Sequence, residues 1–251
     1  MRVQYCSDLH LEANDNSNHL EQSPLEVNGE VLILAGDIIP LHDSYFNNSF
    51  FNFIARNYRQ VFWVPGNHEY FYNDVASYGS TFRIQVNENI VILNNTEQEY
   101  AGIRFIFSTL WSEISAQNER TIEKGLPDFD SIQYKNRKLK TSDINQLHRQ
   151  SLDFLSRSLV THRAKTVVVT HHMPAIACNS RVRKISPLNE AFCSDLSDLI
   201  STSRANFWIY GHSHFNAAPL IIGDTLLLTN QLGYTQLNEH LSFRRNAYFA
   251  I

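Results

Sequence analysis

Short apolar runs recur along the chain, and most are too brief to be helices. The runs at Arg2–Cys6, Val31–Ala35, Val61–Val64, Ile90–Leu93, Ile103–Phe107, Thr166–Thr170 and Phe207–Tyr210 predict strands. So do Pro219–Ile222, Thr225–Thr229 and Ala247–Ile251 near the C-terminus. Several of them, such as VLILA and TVVVT, lack polar alternation, a pattern that suits strands covered on both faces. Gly223-Asp224 between two apolar runs is a two-residue hairpin signal, so the C-terminal part is expected to be antiparallel.

Helical spacing appears between strands. Tyr45–Tyr58 carries Phe46, Phe50, Phe53 and Ile54 on one stripe. Ile144–Val160 carries Leu147, Leu152, Leu155 and Leu159, with Ser142 or Asp143 placed as its N-cap. Strands and helices alternate early and a hairpin-rich stretch comes after them, which predicts an α/β chain with a mixed sheet system. No repeat or linker divides it, so residues 1–251 are read as one domain. Residues 112–140 are polar and lack a strand pattern. They form either a lid or rim over a site or a solvated surface excursion.

Composition narrows the class. Of 251 residues, 43% are hydrophobic and 18% charged, enough to build a sizeable core. The net charge of -4 gives no reason to expect a nucleic-acid or membrane surface. Cys6, Cys178 and Cys193 are odd in number and form no CxxC, which argues against a disulfide framework and a thiolate zinc site. The apolar stretch at the N-terminus is too short for a secretory signal. No window approaches the roughly 20 apolar residues that cross a bilayer. A cytoplasmic location without membrane contact is expected.

The chemistry lies just past the predicted strands. Asp8 and His10 follow the first, Asp37 the second, and Gly66-Asn67-His68-Glu69 the third. His171 and His172 follow Thr166–Thr170, and His212 and His214 follow Phe207–Tyr210. Carboxyl ends of strands in α/β sheets gather in one crevice, so these clusters can converge. Asp8 and His10, two apart, would share a face of a regular strand, as would His212 and His214. The donors are carboxylate, imidazole and amide, with no thiolate, which suits Mn, Fe, Zn or similar ions. The set is too large for one tetrahedral ion. It fits two ions sharing a bridge, with Asp37 the natural bridging carboxylate.

The order DxH, GD, GNHE, H, GHxH from Asp8 to His214 resembles the signature of the calcineurin-like metallophosphoesterase superfamily. The resemblance implies a four-layer α/β/β/α sandwich of two mixed β-sheets, with the metal site at the C-terminal ends of strands. It implies two divalent metal ions, one held by Asp8, His10, Asp37 and His214 and the other by Asp37, Asn67, His171 and His212. His68 would contact the phosphate and protonate the leaving oxygen, acting with Asp37 and Asn67. The implied reaction is hydrolysis of a small-molecule phosphate mono- or diester by metal-bound hydroxide. General acid work needs His68 protonated, and Asp37 and Glu69 are the carboxylates considered for that. The sequence departs from some branches after Gly36-Asp37, where Ile38-Ile39-Pro40 carries no further acidic residue.

Two other functions share these motifs. A metal-dependent nuclease acting on DNA or RNA is one, with the acidic balance and the lack of an appended domain against it. A non-catalytic metal-binding scaffold is the other, with the full set of ligand positions against it. Outside the motifs, Trp111 either lines the substrate pocket or packs in the core. Arg181, Arg183 and Lys184 either bind a second phosphate or the remote part of a substrate, or belong to a solvated loop. His172 either supports the site or is structural, and His148 could reach the rim. His19, His42, His162 and His240 read as surface or capping residues, and Asp43, Asp74 and Asp224 as turn or surface carboxylates.

Overall fold

The structure is a computed structural model and describes residues 1–42, 45–161, 165–180 and 185–251. Asp43, His162, Arg181, Arg183 and Lys184 lie outside the described residues.

The first strands are β1 (Arg2–Cys6), β2 (Val31–Leu34), β3 (Gln60–Trp63), β4 (Phe82–Asn87) and β5 (Ile90–Asn94). Next come β6 (Thr96–Tyr100), β7 (Ile103–Ser108), β8 (Gln133–Tyr134), β9 (Arg137–Lys138) and β10 (Thr166–Thr170). The last four are β11 (Phe207–Tyr210), β12 (Leu220–Ile222), β13 (Thr225–Thr229) and β14 (Tyr248–Ala250). Two six-stranded sheets result, ordered β14-β1-β2-β3-β5-β4 and β12-β13-β11-β10-β7-β6. In each, four inner strands run parallel and the two edge strands run antiparallel.

Strand alternation explains the continuous apolar runs. Val31 and Ile33 face the other sheet, where they meet Phe105, Phe107, Val167 and Val169. Their neighbours Leu32 and Leu34 face the opposite way and pack with Phe50, Phe51 and Ile54. Val168 and Trp208 do the same on the far side, against Leu155 and Ile200. Each such side chain, fully buried, contributes about 1.5–3 kcal/mol relative to exposure. The helices α1 (Asn14–Gln22), α2 (Ser49–Asn57), α3 (Glu119–Gly125), α4 (Asp128–Ser131), α5 (Thr141–Val160) and α6 (Ser197–Ser203) complete the set. The architecture is the expected α/β/β/α sandwich of two mixed sheets.

Several expectations are corrected. α2 starts at Ser49, because the Asn48 side chain accepts from the Phe50 N–H at 2.9 Å and caps it there. α5 starts at Thr141, not after Ser142 or Asp143. Asp143 lies inside the first turn and accepts from the Lys140 N–H at 3.0 Å. The C-terminal part is not wholly antiparallel, since β13 runs parallel to β11. Residues 112–140 are no solvated excursion. They fold into α3, α4 and the β8–β9 hairpin, and bury Ile114, Ile122, Phe129, Ile132 and Leu139. Among the described residues, no helix is long and apolar enough to cross a membrane.

The two sheets are clipped to each other just past their strands. Beyond β1, Ser7 pairs in parallel with Gln231 beyond β13. The Ser7 N–H donates to Asn230 O and the Leu232 N–H to Ser7 O, each at 3.1 Å. The clip lies at the end where the parallel strands of both sheets terminate, so it holds the two rows of strand ends together.

Candidate metal centre

Three of the five motifs, those after β1, β2 and β11, leave their strands through left-handed residues. Asp8 (φ 54°), His10 (φ 45°), Asp37 (φ 54°), His212 (φ 76°) and His214 (φ 51°) are all in that region. Non-glycine residues adopt it rarely, at a cost of about 1–3 kcal/mol each where the surroundings force it. The chain thus turns sharply at the strand ends and aims consecutive side chains inward. Gly36 (φ 88°) makes room for this, because a Cβ there would overlap the His171 imidazole. Gly66 does the same beside the Asp37 carboxylate.

The seven residues that the motifs single out as metal ligands gather at this end. Ligand atoms of Asp8, His10, Asp37 and His214 lie within 4.8 Å of one another, and so do those of Asp37, His171 and His212. Asp37 belongs to both groups. Its Oδ2 is 3.3 Å from His171 Nε2 and 3.9 Å from His10 Nε2. Asn67 joins the second group, with Oδ1 3.1 Å from His171 Nε2. Its amide orientation is set by Nδ2 donating to Asp128 Oδ1 at 2.7 Å. Asp8 and His10 do share one group, although by left-handed turns and not by strand alternation. His212 and His214 do not share a face. They point into different groups, because His212 leaves the strand with φ positive.

The imidazoles follow one rule. Each has one nitrogen on an oxygen acceptor and the other turned to the cluster. His171 Nδ1 is 2.9 Å from Ala35 O, and His212 Nε2 is 3.3 Å from Ala191 O. His10 Nδ1 is 3.1 Å from Glu12 Oε1, and His214 Nδ1 is 2.6 Å from Glu239 Oε2. An N–H donated outward leaves a lone pair inward, the tautomer a metal ligand requires. The inward nitrogens then face each other closely. His10 Nε2 is 2.9 Å from His214 Nε2, and His171 Nε2 is 3.1 Å from His212 Nδ1. Lone pairs at that distance repel unless a cation sits among them.

Charge follows the same geometry. Burial opposes ionisation of Asp37, but His171, His68 and His10 hold its carboxyl well below the usual range. Burial, His172 and His171 together push His212 well down, favouring the neutral ligand form. Burial alone would lower His68 too. The charge of Asp37, the hydrogen bond to Glu12 and the charge of Asp128 reverse this and raise it to about 9.

The carboxylate that touches His68 is not Glu69. Glu12 Oε1 lies 3.0 Å from His68 Nδ1 and 3.1 Å from His10 Nδ1. Glu69 instead accepts from the N–H groups of Gly66, Asp37 and Ile38 and from Trp63 Nε1, at 2.5–3.0 Å, pinning the two loops together. Asp37 contacts His68 only at the backbone, where the His68 N–H donates to Asp37 Oδ1 at 2.9 Å.

Sequence reasoning missed Glu12, Asp128 and Glu239. A signal existed for Glu12, since the alternation Asp8, His10, Glu12 extends one step past the quoted motif. Glu239 lies 25 residues from His214 and carries no local signal. Trp111 packs in the core and also borders a cavity. It is 2% exposed and stacked on Tyr70 at 5.6 Å, yet one side lines the cavity beside the cluster. His172 also lines that cavity, with Nδ1 3.1 Å from Thr109 O. His148 does not line it. It is buried, and Nδ1 sits 3.0 Å from Leu110 O, holding the turn that presents Trp111.

The model of the calcineurin-like phosphoesterase family matches residues 1–216. The chain is similar to an uncharacterized protein of Acanthamoeba polyphaga mimivirus, 33% identical over 279 aligned positions covering 100% of this chain and 97% of that protein. Among solved structures it is similar to the phosphopantetheinyl hydrolase of Mycobacterium tuberculosis, with a TM-score of 0.67 and 17% identity. That match covers 93% of this chain and 90% of the other and is a likeness of fold.

Proposed function

The chain belongs to the calcineurin-like phosphoesterase family, and from that premise we propose that it hydrolyses a phosphate mono- or diester of a small molecule with two divalent metal ions. The observation that carries this is the common orientation of four imidazoles around one carboxylate. His10, His171, His212 and His214 each give one nitrogen to an oxygen acceptor and turn the other toward Asp37. Such a nitrogen and oxygen donor set, without thiolate, fits Mn, Fe or Zn.

In this reading Asp8, His10, Asp37 and His214 hold one ion. Asp37, Asn67, His171 and His212 hold the other. When bound, the ions supply positive charge that polarises the phosphoryl group and acidifies water. Asp128 keeps the Asn67 oxygen aimed at its ion, and Glu239 does the same for His214. His68 is the general acid. Its ring is stacked on Phe71 at 4.0 Å and its Nδ1 is held by Glu12, so the ring is fixed. The Glu12 carboxylate fixes the Nδ1 side and His68 lines the cavity, so Nε2 is the nitrogen left to protonate the leaving oxygen. The acidic groups of the cavity support a small-molecule ester over a nucleic acid. Three buried thiols support a reducing, cytoplasmic location.

Metal analysis of the purified protein combined with a hydrolysis screen of phosphate esters tests the reading. About two ions per chain with turnover of at least one ester is the expected result. Full metal occupancy with no ester hydrolysed would instead make the protein a metal-binding scaffold.

A further inference from the structure

The cavity beside the cluster has a volume of about 400 Å³, within the range of small-molecule sites. Its two ends differ. One is formed by Asp37, Asn67, His68, His212 and His214. The other is formed by Trp111, Leu126, Ile144 and Leu188, with Ser112, Ser186 and Asn189 beside them, while Ala191 and Phe192 border His212. Among the described lining residues there is no lysine and no arginine, while Asp128 and Glu239 add two carboxylates to Asp37.

The apolar end is a built wall. Leu110 and Trp111 are both left-handed, at φ 70° and 53°. His148 fixes the Leu110 carbonyl, and Tyr70 backs the Trp111 ring. Strain in consecutive non-glycine residues persists where the surroundings impose it, and it collects at ligand sites. The two segments that supply it are tied to each other, with the Ser115 N–H donating to Glu190 Oε2 at 2.8 Å. This wall comes from segments 111–144 and 186–192, not from the motifs.

From this arrangement we infer that the alcohol half of the substrate is a neutral, apolar group. The inference rests on the phosphoesterase reading and names its substrate class. A second phosphate at the apolar end would need cationic donors and would lose its hydration to leucine, isoleucine and aromatic carbon. An apolar alcohol loses nothing there, and its release from water favours binding.

Hexyl phosphate and glycerol phosphate test this directly. Both are monoesters of primary alcohols, and they differ in the apolar surface offered. Expected is a kcat/KM about tenfold or more higher for hexyl phosphate, carried mostly by KM. Leu188→Asp and Leu126→Asp, at half-buried positions, should flatten that ratio toward one; circular dichroism and metal content check that each variant is folded. Equal kcat/KM for the two esters, or a preference for glycerol phosphate, would overturn the inference. Hexane-1,6-diol bisphosphate should bind more weakly than hexyl phosphate. Tighter binding would also overturn it and favour a second-phosphate role for Arg181 and Arg183. Calorimetric binding to the metal-loaded protein separates the two levels. Tighter binding of hexyl phosphate without any hydrolysis would sink the phosphoesterase reading and keep the apolar pocket. Equal binding of the two monoesters would sink the pocket.

Discussion

The middle of the sandwich and its metal end are buried to the same degree and built in opposite ways. Ile33, Phe105, Val167 and Val169 are 0% exposed, and so are Asp8, His10 and His171. In the middle, extended backbone presents apolar side chains whose energy grows with the area removed from water. At the end, left-handed backbone presents carboxylates and imidazoles whose energy depends on each finding a partner. The chain passes from one regime to the other within a few residues, as it does between Ile33 in β2 and Asp37 beyond the strand's end. Stability and chemistry are thus laid out along the strands, and a substitution should move one far more than the other.

Asp37→Ala should show the largest effect. It removes the carboxylate common to both ligand groups, and turnover should fall by on the order of 10³-fold or more, with loss of retained metal. A variant that keeps both ions would break the proposed bridging role. His68→Ala comes next, with turnover lowered by about 10²–10⁴-fold on esters with poor leaving groups and with metal content kept. Activated aryl esters should suffer less, since they need less help from an acid. Loss of both ions from this variant would contradict the division of roles. In the middle of the sandwich, Ile33→Ala should cost about 2–5 kcal/mol in chemical denaturation while the folded variant keeps its metal.

The smallest effect lies far from both regions. Asp74 accepts from the N–H groups of Ala76, Lys135 and Asn136 at 2.7–2.9 Å. Burial works against its ionisation, but the three donors together outweigh it and hold its pKa below the usual value. A depressed carboxylate adds stability above its unfolded pKa and loses it as pH falls through the folded one. Asp74→Ala should therefore cost about 1 kcal/mol near neutrality. The cost should fade below roughly pH 4, where the unfolded carboxyl takes up its proton. A cost that stays constant down to pH 2 would show that the carboxylate charge is not what matters.

Much of this division was legible in the sequence. Strands such as Val31–Leu34 and Thr166–Thr170 announced themselves because both faces are covered, leaving no polar position in the run. The motif residues stood out because each follows such a run beside glycine, asparagine or aspartate. Elements without an apolar stripe stayed hidden. α1 buries one leucine and is anchored by polar bonds, with Asn16 Nδ2 donating to Leu9 O and Gly233 O. The edge strand β6, TEQEY, has no apolar stripe, whereas β4 alternates cleanly with Phe82, Ile84 and Val86 on its packed face and carried a legible strand signal. Strand periodicity also misled at His212 and His214, because it does not apply once the chain turns left-handed. Glu239 acts on the His214 imidazole by a contact that no local pattern encodes.

Anomalous diffraction from crystals grown with manganese tests the shared-carboxylate centre most directly. Two peaks flanking the Asp37 carboxylate are expected, one within reach of His10 and His214, the other within reach of His171 and His212. A single peak, or peaks away from Asp37, would contradict a pair of ions bridged by that residue.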